Sequence, residues 1–77
     1  MFWIAAVCRQ SRVDAGRRTA HIAAERDVDQ STVVRFESGQ MARIDIDEMV
    51  AAYARDLDVD PRELWRRALE AWEESGE

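Results

Sequence analysis

At 77 residues the chain has room for one domain, close to the size at which a hydrophobic core alone barely suffices. Its 47% hydrophobic and 35% charged residues exclude a disordered segment, and three Gly with one Pro are too few for a fold of strands and tight hairpins. One cysteine, Cys8, and one histidine, His21, exclude an intrachain disulfide and a clustered metal site, while a net charge of −5 counts at first against nucleic-acid binding.

The expected architecture is all-α with five helices. Phe2 to Cys8 is an apolar run too short to span a bilayer. Ile4, Val7, Cys8 and Val13 recur at helical spacing up to Gly16, so the first helix is expected over about 2–15, with Cys8 filling core space. Ala20, Ile22, Ala23 and Ala24 predict a short second helix over 19–26. Asp27, Val28 and Asp29 interrupt it, and Asp29 is placed to cap a third helix over 30–38, with Val33 and Phe36 inward and Gly39 as the stop.

Asp45 followed by Glu48 makes a capping box for a fourth helix over 46–57, whose inner face carries Ile46, Met49, Val50, Tyr53 and Leu57. Asp60, Pro61 and Glu63 repeat the start signal for a fifth helix over 61–74 with the stripe Leu64, Trp65, Ala68, Leu69 and Trp72. No repeat or low-complexity stretch divides the chain.

The charge is unevenly distributed. Met1 to Arg43 carries seven Arg against five Asp and Glu, a net of +2, whereas Ile44 to Glu77 carries four Arg against eleven acids, a net of −7. A basic face on the front half is therefore compatible with the acidic total. Every basic side chain other than His21 is Arg; the absence of Lys and Asn is what GC-rich coding produces.

Two short helices separated by about three residues must cross steeply, which leaves the second free to project while the first braces it. The run from Thr19 to Gly39, TAHIAAERDVDQSTVVRFESG, resembles the helix-turn-helix of the lambda repressor and Cro type, the Xre-like family. Thr19 stands at the place of the usual Gln, Ile22 and Ala23 at the Leu-Ala pair, Val28 at the turn Val, Asp29 at the cap, and Glu37 with Gly39 at the closing pair. Arg12 and Gly16 upstream and Val59 to Leu64 downstream extend the resemblance over most of the chain. It departs at Asp27, where the turn usually has Gly, at Thr19, a shorter side chain than the phosphate-contacting amide, and at Val34, usually polar.

The resemblance implies a compact lambda repressor-like domain that binds double-stranded DNA as a transcriptional regulator, of the phage- or plasmid-like repressor or Cro kind. It assigns base reading to Gln30, Ser31, Val34 and Arg35. Arg18, Thr19, Thr32, Ser38, Gln40 and Arg43 flank that face as phosphate contacts, and Arg12 with Glu37 is expected to form a structural ion pair. One reading helix contacts few base pairs, so a homodimer is expected. Its interface is placed on Trp65, Leu69 and Trp72, with one tryptophan closing the core and the other meeting the partner; Trp3 is expected against the same helix.

An antitoxin of a toxin-antitoxin pair, and a protein-binding module that uses the acidic back half, are the alternatives. No enzyme is expected, since no paired carboxylates, activated nucleophile or Gly-rich phosphate loop stands out. No cofactor, metal or membrane association is expected either, and the expected compartment is the cytoplasm.

Overall fold

A computed structural model describes residues 3–40 and 44–75. Its elements are α1 (Trp3–Asp14), α2 (Thr19–Arg26), α3 (Gln30–Glu37), α4 (Ile46–Leu57) and α5 (Pro61–Glu74), with no strand among the described residues. The predicted boundaries hold to within one residue, the scatter that frayed helix ends ordinarily show.

The helices end in a recurring way. Gly16, Asp27, Gly39 and Asp58 take the left-handed conformation, with φ of 70°, 60°, 83° and 56°. In each case the next amide returns to a carbonyl five residues back: Arg17 to Arg12, Val28 to Ala23, Gln40 to Arg35 and Val59 to Ala54, at 2.9 to 3.0 Å. This closure satisfies carbonyls that a helix end leaves without partners. At the second and fourth stops the residue after the turn is Val28 or Val59, and both pack on the core. Asp27 thus serves where Gly would be free of strain, because a short polar side chain tolerates this conformation better than a branched one.

Starts are less uniform. Asp45 accepts from the Glu48 amide and Asp60 from the Arg62 amide, so α4 and α5 are capped by side chains. Asp29 precedes α3 in an extended conformation, yet its side chain caps no amide; its backbone carbonyl accepts from Thr32 instead. The expectation of a carboxylate cap there is corrected accordingly.

The core is one cluster drawn from all five helices: Ile4, Ala5 and Cys8 from α1, Ile22 and Ala23 from α2, Val33 and Phe36 from α3, Met49, Val50 and Tyr53 from α4, and Leu64 and Ala68 from α5. Val13 was expected inward and is instead exposed. It follows Cys8 by five residues, which turns it well past the buried stripe. Trp3 packs partly buried against the cluster, and α1 lies mainly along α5. The Cα radius of gyration of 11.6 Å is that of a tightly folded chain of this length, for which about 11.5 Å is expected. No helix is long and apolar enough to cross a membrane among the described residues.

Candidate nucleic-acid interface

Helices α2 and α3 meet through Ile22, Ala23, Val33 and Phe36, which are buried, and the turn residue Val28 seals the corner. On α3 the four residues expected to read bases fall on the opposite side. Gln30, Ser31, Val34 and Arg35 are all exposed. At 100° per residue they span an arc of roughly 140°, one continuous strip along the helix.

The strip is joined to α2 at its start. The Gln30 Nε2 donates to the Thr19 hydroxyl at 2.6 Å. Thr19 therefore braces the start of α3 against α2. Its own hydroxyl proton is left available, as are the Gln30 Oε1 and the second Nε2 proton.

At the far end α3 is anchored by Glu37. Arg12 on α1 donates to both of its oxygens, Nε to Oε2 at 2.7 Å and Nη2 to Oε1 at 2.9 Å, which is the ion pair expected for these residues. Arg12 Nη1 also donates to the Arg17 carbonyl at 2.9 Å, so one guanidinium ties the end of α1, the following turn and α3 together. The Tyr53 hydroxyl adds a third donor to Glu37 at 2.5 Å, and the Phe36 and Tyr53 rings lie 5.6 Å apart. Burial, reinforced by Glu37, pushes the Tyr53 hydroxyl well above its ordinary ionisation range. The Glu37 bond and its charge likewise hold the Arg12 guanidinium in its charged form. Cys8 is buried beneath this network, and its thiol is pushed up to about 12 by desolvation first and Glu37 second. It is a packing residue with no thiolate chemistry near neutral pH.

Partner choice among the arginines separates two groups. Arg12, Arg17, Arg26, Arg55, Arg62, Arg66 and Arg67 each bind a carboxylate. Among the described residues Arg9, Arg18 and Arg35 bind none; Arg18 stands at the start of α2 and Arg35 on the outer side of α3. Arg18 opens α2, whose first turn holds no acid. The ring of His21 turns back there, its Nδ1 accepting from the Arg18 amide at 3.0 Å. The Arg18 guanidinium, with no carboxylate among the described residues, and the Thr19 hydroxyl thus share one end of α2, where the helix dipole also favours an anion.

Comparison with protein-family models, curated proteins and solved structures returns no match.

Other expected contacts divide. Gln40 is exposed just beyond α3 and Thr32 is half-buried, whereas Arg43 lies outside the described residues. The Ser38 hydroxyl is exposed just beyond α3 and donates to the Val34 carbonyl at 2.6 Å. On α5 the expected stripe splits. Leu64 and Ala68 enter the core, while Trp65, Leu69 and Trp72 remain 40%, 53% and 43% exposed. Neither of these tryptophans closes the core, which corrects that expectation; α1 already covers the inner side of α5.

Sequence reasoning missed the clamps behind the site. Arg17 makes a two-pronged pair with Asp56, Nε to Oδ2 at 3.0 Å and Nη2 to Oδ1 at 2.8 Å, and Asp56 is largely buried. The bond to Arg17 holds the Asp56 carboxyl below its usual range. Arg55 with Glu25 and Arg26 with Glu48 add two pairs between α2 and α4. No local spacing announces such contacts, because the partners lie 22 to 39 residues apart.

Proposed function

We propose that this protein is a sequence-specific DNA-binding regulator with a lambda repressor-like arrangement of helices, which lays α3 in the major groove and acts as a homodimer on paired half-sites. The observation that carries this reading is the exposed strip of Gln30, Ser31, Val34 and Arg35 on a helix fixed at both ends, by Thr19 and by the Arg12 and Glu37 pair.

Each member of the strip suits a base edge. The Oε1 and second Nε2 proton of Gln30 match the N6 donor and N7 acceptor of adenine, and the Arg35 guanidinium, which binds no carboxylate among the described residues, matches guanine O6 and N7. Val34, 49% exposed, offers methyl groups to a thymine methyl, and Ser31 can serve either kind of edge. Arg18 and the Thr19 hydroxyl supply phosphate contacts that fix register without reading sequence. The acidic half that follows Ile44 belongs on the side away from the duplex, where repulsion helps to set the orientation of docking.

Fluorescence anisotropy with labelled duplexes tests the reading. Binding at low salt that weakens steeply as salt rises, and that prefers some duplexes over others, supports it. Absence of binding at low salt overturns it.

A further inference from the structure

The end of α1, the close of α4 and the second turn of α5 enclose an open cleft of about 380 Å³, lined by Ser11, Asp14, Ala15, Leu57, Val59 and Arg67. Pockets that hold small molecules run from roughly 300 to 1,000 Å³ and join an apolar lining to a few convergent polar groups. This cleft has both parts. Leu57 and Val59 pack half-buried on the core and, with the Ala15 methyl, form the apolar side. Ser11, Asp14 and Arg67 form the polar side.

The two charges of the cleft are opposite and do not neutralise each other. The Asp14 carboxylate accepts from the Gln10 side chain, Nε2 to Oδ1 at 2.8 Å, and no arginine binds it among the described residues. It stands in the last turn of α1, where the helix dipole disfavours a carboxylate and favours a cation, while Arg12 of the same turn is committed to Glu37. Arg67 reaches the cleft from the other wall. Its Nη1 donates to the Ser11 hydroxyl oxygen at 3.2 Å, and its Nε lies 3.3 Å from Glu63, a carboxylate that Arg66 already holds with two nitrogens. The Arg67 Nη2 protons and the Ser11 hydroxyl proton meet no acceptor among the described residues.

We propose that this cleft binds a free α-amino acid with an apolar side chain, its carboxylate taken by Arg67 and Ser11, its ammonium by Asp14, and its side chain laid on Leu57, Val59 and Ala15. The spacing suits such a ligand. Ser11 and Asp14 are three residues apart on one helix, so their side chains are neighbours, with about 5 to 6 Å between Cβ atoms. The groups that hold the two ligand charges are therefore as close together as charges borne on one carbon require. A peptide end carries one of these charges without the other, and an inorganic anion brings neither the cation nor the apolar part. A free amino acid meets all three requirements at once.

This inference goes beyond the DNA reading and does not depend on it, so it is tested without DNA. The full chain is titrated with L-leucine, L-isoleucine and L-phenylalanine, each alone at constant pH and ionic strength, and its amide chemical shifts are followed. At least one amino acid is expected to give saturable shifts centred on Ser11, Asp14, Ala15, Leu57 and Val59. The N-acetyl derivative of that amino acid, which lacks the ammonium, and its amide, which lacks the carboxylate, are each expected to bind roughly tenfold or more weakly. Asp14→Asn and Arg67→Met, both at exposed positions and checked for folding by thermal melts, are expected to lose affinity for the amino acid by a similar factor. Asp14→Asn should leave the weak binding of the N-acetyl compound unchanged, and Arg67→Met that of the amide. No saturable shift with any of the three amino acids, shifts centred elsewhere, derivatives that bind as tightly as the amino acid itself, or variants that bind it undiminished would each overturn the proposal.

Discussion

The Glu37 carboxylate accepts the Arg12 guanidinium on both oxygens and the Tyr53 hydroxyl on one of them, and so locks the end of the projecting helix to α1 and α4 at once. All three groups are largely shielded from water, with the Arg12 and Glu37 side chains only 13% and 8% exposed. Removing one partner strands the others. Glu37→Ala is expected to cost about 3 kcal/mol in urea unfolding, a large share of the stability of so small a domain. Tyr53→Phe, which deletes one donor and leaves the ion pair, should cost about 1 kcal/mol.

The left-handed aspartates point the opposite way. Asp58 stops α4 with a φ of 56°, where a glycine would carry no Cβ strain. Asp58→Gly is expected to raise stability by about 0.5 to 1 kcal/mol, read as a melting temperature higher by about 4 °C. A lower melting temperature would show that the aspartate side chain contributes more than its backbone strain costs.

Acid titration reports on the Arg17 and Asp56 pair. The folded Asp56 carboxyl lies below its usual range because it is bonded to Arg17. An acid with a depressed folded pKa adds stability that is present above its unfolded value, about 3.9, and is lost as pH falls through the lower folded value. The parent chain should therefore exceed Asp56→Asn in stability by a constant margin above about pH 5, and the margin should shrink below about pH 4. A margin that is the same at pH 7 and pH 3 would count against the pair as a source of stability.

How much of this was legible in the sequence depends on the range of the interaction. The helices and their stops are written locally, in stripes such as Met49, Val50 and Tyr53 and in punctuation such as Gly16, Asp27 and Gly39. The exposed strip of α3 follows from the same periodicity, since fixing Val33 and Phe36 inward turns Gln30, Val34 and Arg35 outward. The Arg12 and Glu37 pair was reached only through the family resemblance. Periodicity placed Tyr53 in the core but gave no sign that its hydroxyl reaches Glu37. Arg17 and Asp56 carry no pattern at all, because their meeting depends on how the turn before α2 is set against α4. The bond of the Ser38 hydroxyl to the Val34 carbonyl is local in origin, because a serine beyond a helix end can place its proton on a carbonyl four residues back.

Arg18 and Arg35 bind no carboxylate among the described residues, and the proposed reading gives them different roles. Arg18→Ala should weaken binding to every duplex by a similar factor and reduce the slope of log affinity against log salt by about one. Affinity titrations at several salt concentrations check this. A loss confined to particular sequences would place Arg18 on a base edge instead.

The central claim, that the outer face of α3 reads sequence, is tested most directly by selecting bound duplexes from a random pool with the parent chain and with Arg35→Ala side by side. The parent chain should enrich a motif containing a fixed guanine, and the variant should enrich the same motif with that one position relaxed. If the parent enriches nothing, or if the variant enriches an unchanged motif while binding all sequences equally less well, α3 does not read bases through Arg35.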